Sequence, residues 1–243
     1  MISVVLPAKN EAENLPSLIN EIATTLASRD NFEIIVVDDG SSDNTFEASI
    51  QAAELVGADI TMIRHRFSAG QSTALSTGIQ HAKGELIVTL DADGQNDPAD
   101  IPALVAMAKS ADTPHFCVAG FRKKRKDTAW VRFQSRIANN IRNSLLNDGV
   151  PDTGCGLKLF PRDTFLQLPY FDHMHRYLPA LIKRLGGNIY IVEVNHRDRQ
   201  AGTSNYNAWN RAWVGISDML GVMWLQKRSR IIQIEKTEQH KAK

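Results

Sequence analysis

Two aspartates one residue apart, Asp91 and Asp93, follow the apolar run Leu86-Ile87-Val88-Thr89-Leu90. That run has the length and composition of a buried strand. Residues i and i+2 of a strand point the same way, so both carboxylates can converge on one point at its carboxyl end. Like charges held together repel unless a cation sits between them. A hard divalent ion such as Mg²⁺ or Mn²⁺ takes oxygen ligands and commonly shares them with a diphosphate. Taken alone, the pair also fits a solvated acidic turn after a core strand. Two further apolar runs end in polar residues, however. Ile2 to Leu6 leads into Pro7-Ala8-Lys9-Asn10-Glu11, and Glu33 to Val37 leads into Asp38-Asp39-Gly40.

These groups need a frame that brings strand ends together. The first hundred residues predict one. A helix is expected from an Asn14 cap with the stripe Leu15, Leu18, Ile19, Ile22 and Leu26, and another from Thr45 to about Gly57. Ile60 to Arg64 reads as a short strand. Gly70 to Lys83 reads as a helix that Gly84 closes in a left-handed cap. Alternating β and α elements predict an α/β fold with a mostly parallel central sheet flanked by helices. In such sheets ligands bind at the carboxyl ends of the strands. A fifth strand is expected at His115 to Ala119 and a last one at Ile189 to Val194.

The whole chain sets bounds. Its 243 residues are 43% hydrophobic, enough for one sizeable core. Net charge is +1, which argues against a nucleic-acid partner. The charge is unevenly placed. Residues 122–142 hold eight basic side chains against Asp127 alone, a net +7 that leaves −6 elsewhere. Within them Arg132 and Arg136 lie four apart, on one face of a helix. Guanidinium pairs suit bidentate contact with phosphate. Two cysteines, Cys117 and Cys155, make no disulfide framework, and Cys155 reads as a small packing residue. No secretory leader and no membrane-spanning stretch is legible. A cytoplasmic protein is expected. Asn207 to Leu225 reads as a helix with Trp209, Trp213, Ile216, Leu220 and Trp224 along one side, followed by Lys227, Arg228 and Arg230. That pattern suits a peripheral position at the inner face of a membrane. It equally suits packing on the core or on a homodimer partner. Residues 231–243 read as a polar tail, so any membrane span is expected to belong to a separate integral membrane protein. His173 and His175 read as surface or capping residues.

Val5-Leu6-Pro7-Ala8-Lys9-Asn10-Glu11, Val36-Val37-Asp38-Asp39-Gly40-Ser41-Ser42-Asp43 and Leu90-Asp91-Ala92-Asp93 together resemble the family 2 glycosyltransferases of the GT-A fold. The resemblance covers about the first 120 residues and implies a GT-A domain over 1–206. It implies a nucleoside diphosphate sugar as substrate, with Pro7, Glu11, Asp38 and Asp39 on the nucleotide and, by a weaker transfer, Gly70 and Gln71 nearby. Asp91 and Asp93 become ligands of Mg²⁺ or Mn²⁺, with Asp93 central to catalysis. Asp93-Gly94-Gln95-Asn96-Asp97-Pro98 is similar to a signature of dolichyl- and polyprenyl-phosphate sugar synthases, which adds Gln95 to the metal set. In that group the region Trp130 to Asn139 resembles a helix that holds the acceptor phosphate. Arg122, Arg132, Ser135 and Arg136 are the candidates here. Arg199-Gln200-Ala201-Gly202-Thr203-Ser204 resembles a catalytic loop whose Arg reaches the donor diphosphate, with Gly202 and Ser204 shaping it.

The resemblance therefore implies an inverting transfer to a lipid-phosphate acceptor at a membrane surface. The alternative within the family is transfer to a sugar hydroxyl. Members of that kind often carry a Glu-Asp pair whose Asp is the general base. This chain has Asp152-Thr153-Gly154 there instead, so Asp152 is the base candidate. A nucleotidyltransferase would need a Gly-rich, Lys-containing loop after the first strand, which residues 7–11 do not provide.

Overall fold

Each apolar run that ends in polar residues becomes a strand of a seven-stranded sheet. The structure, a computed structural model, describes residues 1–27, 31–122, 142–198 and 208–230, and of 208–213 the backbone alone. The strands are β1 (Ile2–Ala8), β2 (Phe32–Asp38), β3 (Ile60–Arg64), β4 (Leu86–Thr89), β5 (Phe116–Arg122), β6 (Lys158–Pro161) and β7 (Asn188–Val194). Their order across the sheet is β3-β2-β1-β4-β6-β5-β7. β1 to β4 pair in parallel, as do β5 and β7. β6 is antiparallel to both β4 and β5. The chain turns back across its own sheet at β1, with β2 on one side and β4 on the other, and this reversal opens a crevice beyond the strand ends.

Alternation along the strands divides the core in two. Val4, Leu6, Ile34 and Val36 face one side, where α1 (Leu15–Leu26), α2 (Thr45–Val56) and a later helix, α4 (Ile101–Lys109), cover them. Val5, Ile35 and Val37 face the other, against α3 (Gln71–His81), α5 (Arg162–Leu166), α6 (Leu178–Arg184) and α7 (Ala208–Lys227). The predicted α1 stripe is fully buried. Asn14 makes no cap with its side chain, though. Its Nδ2 donates to Glu11 Oε2 at 2.6 Å and ties down the loop after β1.

Three elements differ from the sequence reading. α3 stops at His81, and Gly84 does not sit in the left-handed region. Gly84 is needed for close approach instead: a Cβ there would lie 2.6 Å from Ser3 Oγ and 2.7 Å from Ser3 N. α4 was not foreseen, although Ile101, Leu104, Val105 and Ala108 have helical spacing after the Asp97 cap and Pro98. β6 runs against its neighbours, which four residues beginning with a lysine do not announce.

Glu33, at the start of β2, is buried rather than solvated. Its Oε1 accepts from Ser3 Oγ at 2.5 Å and from the backbone N–H groups of Lys83 and Gly84 at 2.6 and 3.3 Å. One carboxylate thus joins β2, β1 and the turn before β4. Glu33→Ala leaves the Lys83 N–H and the Ser3 hydroxyl without this acceptor, while Gly84 N–H keeps Ser3 Oγ at 2.8 Å, and is expected to cost about 3 kcal/mol, read as a lower urea midpoint at unchanged slope.

Candidate active site at the carboxyl edge of the sheet

β1 ends at Ala8 opposite Asp38, and Thr89 pairs with Val5. Carrying that register two residues on puts Asp91 level with Pro7, across the crevice mouth. Parallel strands alone would leave this edge acidic. The reversed strand β6 changes it, because its first residues arrive where β4 ends. Lys158 stands opposite Thr89, whose Oγ1 donates to Gly156 O at 2.7 Å. Pro7, Gln71, Leu75, Thr89, Leu90, Asp91, Gly156, Lys158, His175 and Leu178 line the resulting cavity.

Burial, with the like charge of Asp93, pushes the Asp91 carboxyl above the ordinary range, while Lys158 and Arg122 partly oppose the rise. Asp91 Oδ1 accepts from Gln71 Nε2 at 2.8 Å. Asp93 is buried, and its Oδ1 accepts the backbone N–H of Gln95 at 3.1 Å across the left-handed Gly94. Gln95 O in turn accepts from Arg197 N at 3.0 Å. The Arg197 guanidinium bridges Glu21 on α1 and Asp97, which clamps the 91–97 turn to the helix layer.

Two carboxylates one residue apart, one desolvated and repelled by the other, are a donor set for a divalent cation. Among the described residues no group of three His, Cys, Asp or Glu side chains could hold an ion. Gln95, a substrate diphosphate and water would have to complete the shell. The site also needs room. A Cβ on residue 156 would lie 2.2 Å from Asp91 Oδ2, so only glycine lets this carboxylate occupy its place.

Asp38 and Asp39 shape the neighbouring loops. Asp38 Oδ1 accepts from Ser41 N at 2.8 Å and its Oδ2 pairs with Arg64 Nε at 3.2 Å. Asp39 accepts from Ala69 N, Gly70 N, Ser68 Oγ and His65 Nδ1, all within 2.9 Å. Burial works against its charge, but these bonds outweigh burial and hold the carboxyl below its usual range. Gly70 has φ +90°, a conformation that glycine adopts without strain. Glu11 lies at the same edge, where its backbone N–H donates to Thr45 Oγ1 at 2.9 Å.

Arg122 and Asp152, given different tasks by the sequence, are partners. Arg122 Nε and Nη2 donate to the two Asp152 oxygens at 2.7 and 2.9 Å, with Asp152 buried and Arg122 partly so. Burial opposes the Arg122 charge, and Asp152 more than restores it. Behind them Arg142 pairs with Asp148 at 3.1 Å. Cys155 is buried, and that burial raises its thiol, so it packs rather than reacts. Arg132, Ser135, Arg136, Arg199, Gly202 and Ser204 lie outside the described residues. His173 pairs with Asp218 at 3.3 Å. His175 is not a surface residue: it lines the cavity and bonds to Ser72.

Residues 3–168 match the model of the family described as glycosyl transferase family 2. The undecaprenyl-phosphate 4-deoxy-4-formamido-L-arabinose transferase of Enterobacter sp. (strain 638) is 36% identical over 208 residues, covering 85% of this chain. The chain spans 62% of the length of that relative. Among solved structures, glucosyl-3-phosphoglycerate synthase from Mycobacterium tuberculosis in complex with UDP is 22% identical, with TM-score 0.67 over 92% of this chain and 80% of that one. The mannosyltransferase PcManGT from Pyrobaculum calidifontis in complex with GDP-Man and Mn²⁺ is 20% identical, with TM-score 0.67 over 93% of this chain and 63% of that one. These two likenesses concern the fold.

Gly156→Ala is expected to push Asp91 off its position and weaken Mn²⁺ binding by about 10- to 100-fold, the usual effect of disturbing what orients a ligand. Mn²⁺ titration followed by water-proton relaxation, beside an unchanged melting temperature, checks it.

Proposed function

The chain belongs to glycosyltransferase family 2, and on that premise we propose that it moves a sugar from a nucleoside diphosphate sugar to a polyprenyl phosphate or similar lipid phosphate. An acceptor phosphate oxygen forms the new bond to the anomeric carbon of the donor sugar from the face opposite the departing nucleoside diphosphate. The bond to the donor diphosphate breaks, and its electron pair leaves with the nucleoside diphosphate. The configuration inverts.

Asp152 is the observation that carries the choice of acceptor. A hydroxyl acceptor needs a base, yet both Asp152 oxygens accept from the Arg122 guanidinium. A carboxylate so engaged is a poor proton acceptor. A phosphate acceptor is already anionic at neutral pH and needs no base. The Enterobacter relative, named for undecaprenyl phosphate, supports the same choice.

In this reading Asp91, Asp93 and Gln95 hold Mg²⁺ or Mn²⁺. When bound, the ion would neutralise charge on the diphosphate. Pro7, Glu11, Asp38 and Asp39 border the nucleotide, and Asp39 acts through the 68–70 turn it holds. Gln71 orients Asp91. Arg132, Ser135 and Arg136 are assigned to the acceptor phosphate, as is Arg122, which Asp152 holds in place. Arg199, with Gly202 and Ser204, is assigned to the donor diphosphate.

Helix α7 gives this chemistry a place. Its inner face packs into the core through Met219, Val222 and Met223. Its outer face leaves Ile216, Leu220 and Trp224 exposed at intervals of four, the last two at 57% and 59%. Arg228 lies over the Trp224 ring at 5.9 Å. Among the described residues no helix is long and apolar enough to cross a membrane. An apolar stripe ending in Lys227, Arg228 and Arg230 fits the interface of an anionic membrane.

The deciding assay incubates the protein and Mn²⁺ with labelled sugar nucleotides and total membrane lipids, then asks which donor labels the lipid fraction. Label that reaches a sugar hydroxyl instead, and stops with Asp152→Asn, overturns the lipid-phosphate reading. Asp93→Ala should lower transfer about a thousandfold, the equivalent of several kcal/mol of charge stabilisation, with the fold intact by circular dichroism. Leu220→Ser with Trp224→Ser should release the protein from anionic vesicles in flotation while nucleotide binding persists. A wild type that already floats free would end the interface assignment.

A further inference from the structure

His175 lines the cavity with Asp91, Gln71, Gly156 and Lys158, and the reaction described above gives it no task. Its Nδ1 lies 2.7 Å from Ser72 Oγ, and its backbone N–H donates to the same oxygen at 3.3 Å. Ser72 is only 1% exposed, in the first turn of α3. A serine hydroxyl has one proton to give. Ser72 Oγ accepts the backbone N–H, and its proton has Nδ1 as its acceptor. Among the described residues Nδ1 is the hydrogen-bond acceptor within reach of that proton, which assigns the ring proton to Nε2. Burial, reinforced by the positive Arg176, Lys158 and His173, lowers the His175 pKa to about 3, so the ring is neutral at working pH. The result is a neutral N–H donor with a fixed tautomer. Among the described residues Nε2 has no hydrogen-bond partner.

We propose that His175 Nε2–H donates to a hydroxyl of the sugar being transferred and thereby helps select that sugar, an inference that rests on the glycosyltransferase reading. The cavity separates two kinds of recognition. Asp91 and Lys158 are its charged groups, suited to an ion and the diphosphate it carries. Leu75, Leu90 and Leu178 are buried and form its apolar floor, leaving about 20 Å³, which is room for one hydroxyl of a sugar at its mouth. A neutral donor beside an apolar floor matches a neutral hydroxyl. Ser72 and His175 are held by different elements, α3 and the turn before α6, so the ring is braced from two sides.

The test uses the full chain with Mn²⁺ and calorimetry. UDP and GDP are titrated against UDP-glucose, UDP-galactose and GDP-mannose, and the sugar nucleotides that bind wild type are carried forward. His175→Ala should weaken those about tenfold and leave the bare diphosphates unchanged. His175→Met, similar in bulk but without the donor, should do the same should the alanine variant fail to fold. His175→Gln, which keeps an N–H, should recover most of the affinity. Among monodeoxy donors one position should cost wild type the same tenfold and cost His175→Met nothing. Equal losses on bare and sugar-bearing nucleotides, or no loss on either, overturn the assignment. If wild type binds none of these nucleotides, the glycosyltransferase reading itself falls and this inference with it.

Discussion

Repulsion between two carboxylates at the end of one strand is the constraint on which this active edge is built. β4 stops at Thr89, so the turn that follows it, and not the pleat of a strand, sets Asp93 near Asp91, and burial makes their proximity more costly. The protein meets that cost from three directions. Gly156 omits a side chain so that Asp91 fits. Lys158 and Arg122 bring positive charge to the Asp91 side. The 91–97 turn satisfies Asp93 with a backbone N–H and is clamped by Arg197. What remains is a deficit of positive charge that a divalent ion and its diphosphate can fill.

The reversed strand β6 is the device that makes this arrangement possible. A wholly parallel sheet presents every carboxyl end at one edge and every amino end at the other. By running backwards between β4 and β5, β6 delivers an amino end to the active edge, and with it Gly156 and Lys158. The same reversal sets Asp152 within reach of Arg122 at the end of β5. Charge balance at the site is therefore a consequence of topology.

The parallel half of the sheet was legible because its strands are continuous runs of β-branched residues closed by polar ones. Asp91 and Asp93 were legible as polar residues closing such a run, but the strand spacing expected of them is not what pairs them, because β4 stops at Thr89 and a turn carries Asp93. The residues that were missed act across long separations. Gly156 lies 65 positions from Asp91, and His175 lies 103 positions from Ser72. Local pattern carries no sign of such meetings. Lys158 did leave a trace, because a lone lysine inside Gly-Leu-Lys-Leu-Phe interrupts a segment that should be buried, and a buried lysine requires a partner. Asp152 and Arg122 each suggested a chemical role when taken singly, and only the fold reveals that they answer one another.

The short turn after β3 joins two regions that the sequence presents as separate motifs. Gly70 N is held by Asp39 at the end of β2, and the very next side chain, Gln71, holds Asp91 at the end of β4. One peptide link thus spans the nucleotide side and the ion side of the crevice. In the reading proposed above, an ion at Asp91 and a nucleotide beside Asp39 would meet through this one link. By thermodynamic linkage such an influence is equal in both directions. Ion and nucleotide would then share a single binding equilibrium, each raising or lowering the affinity for the other by the same factor.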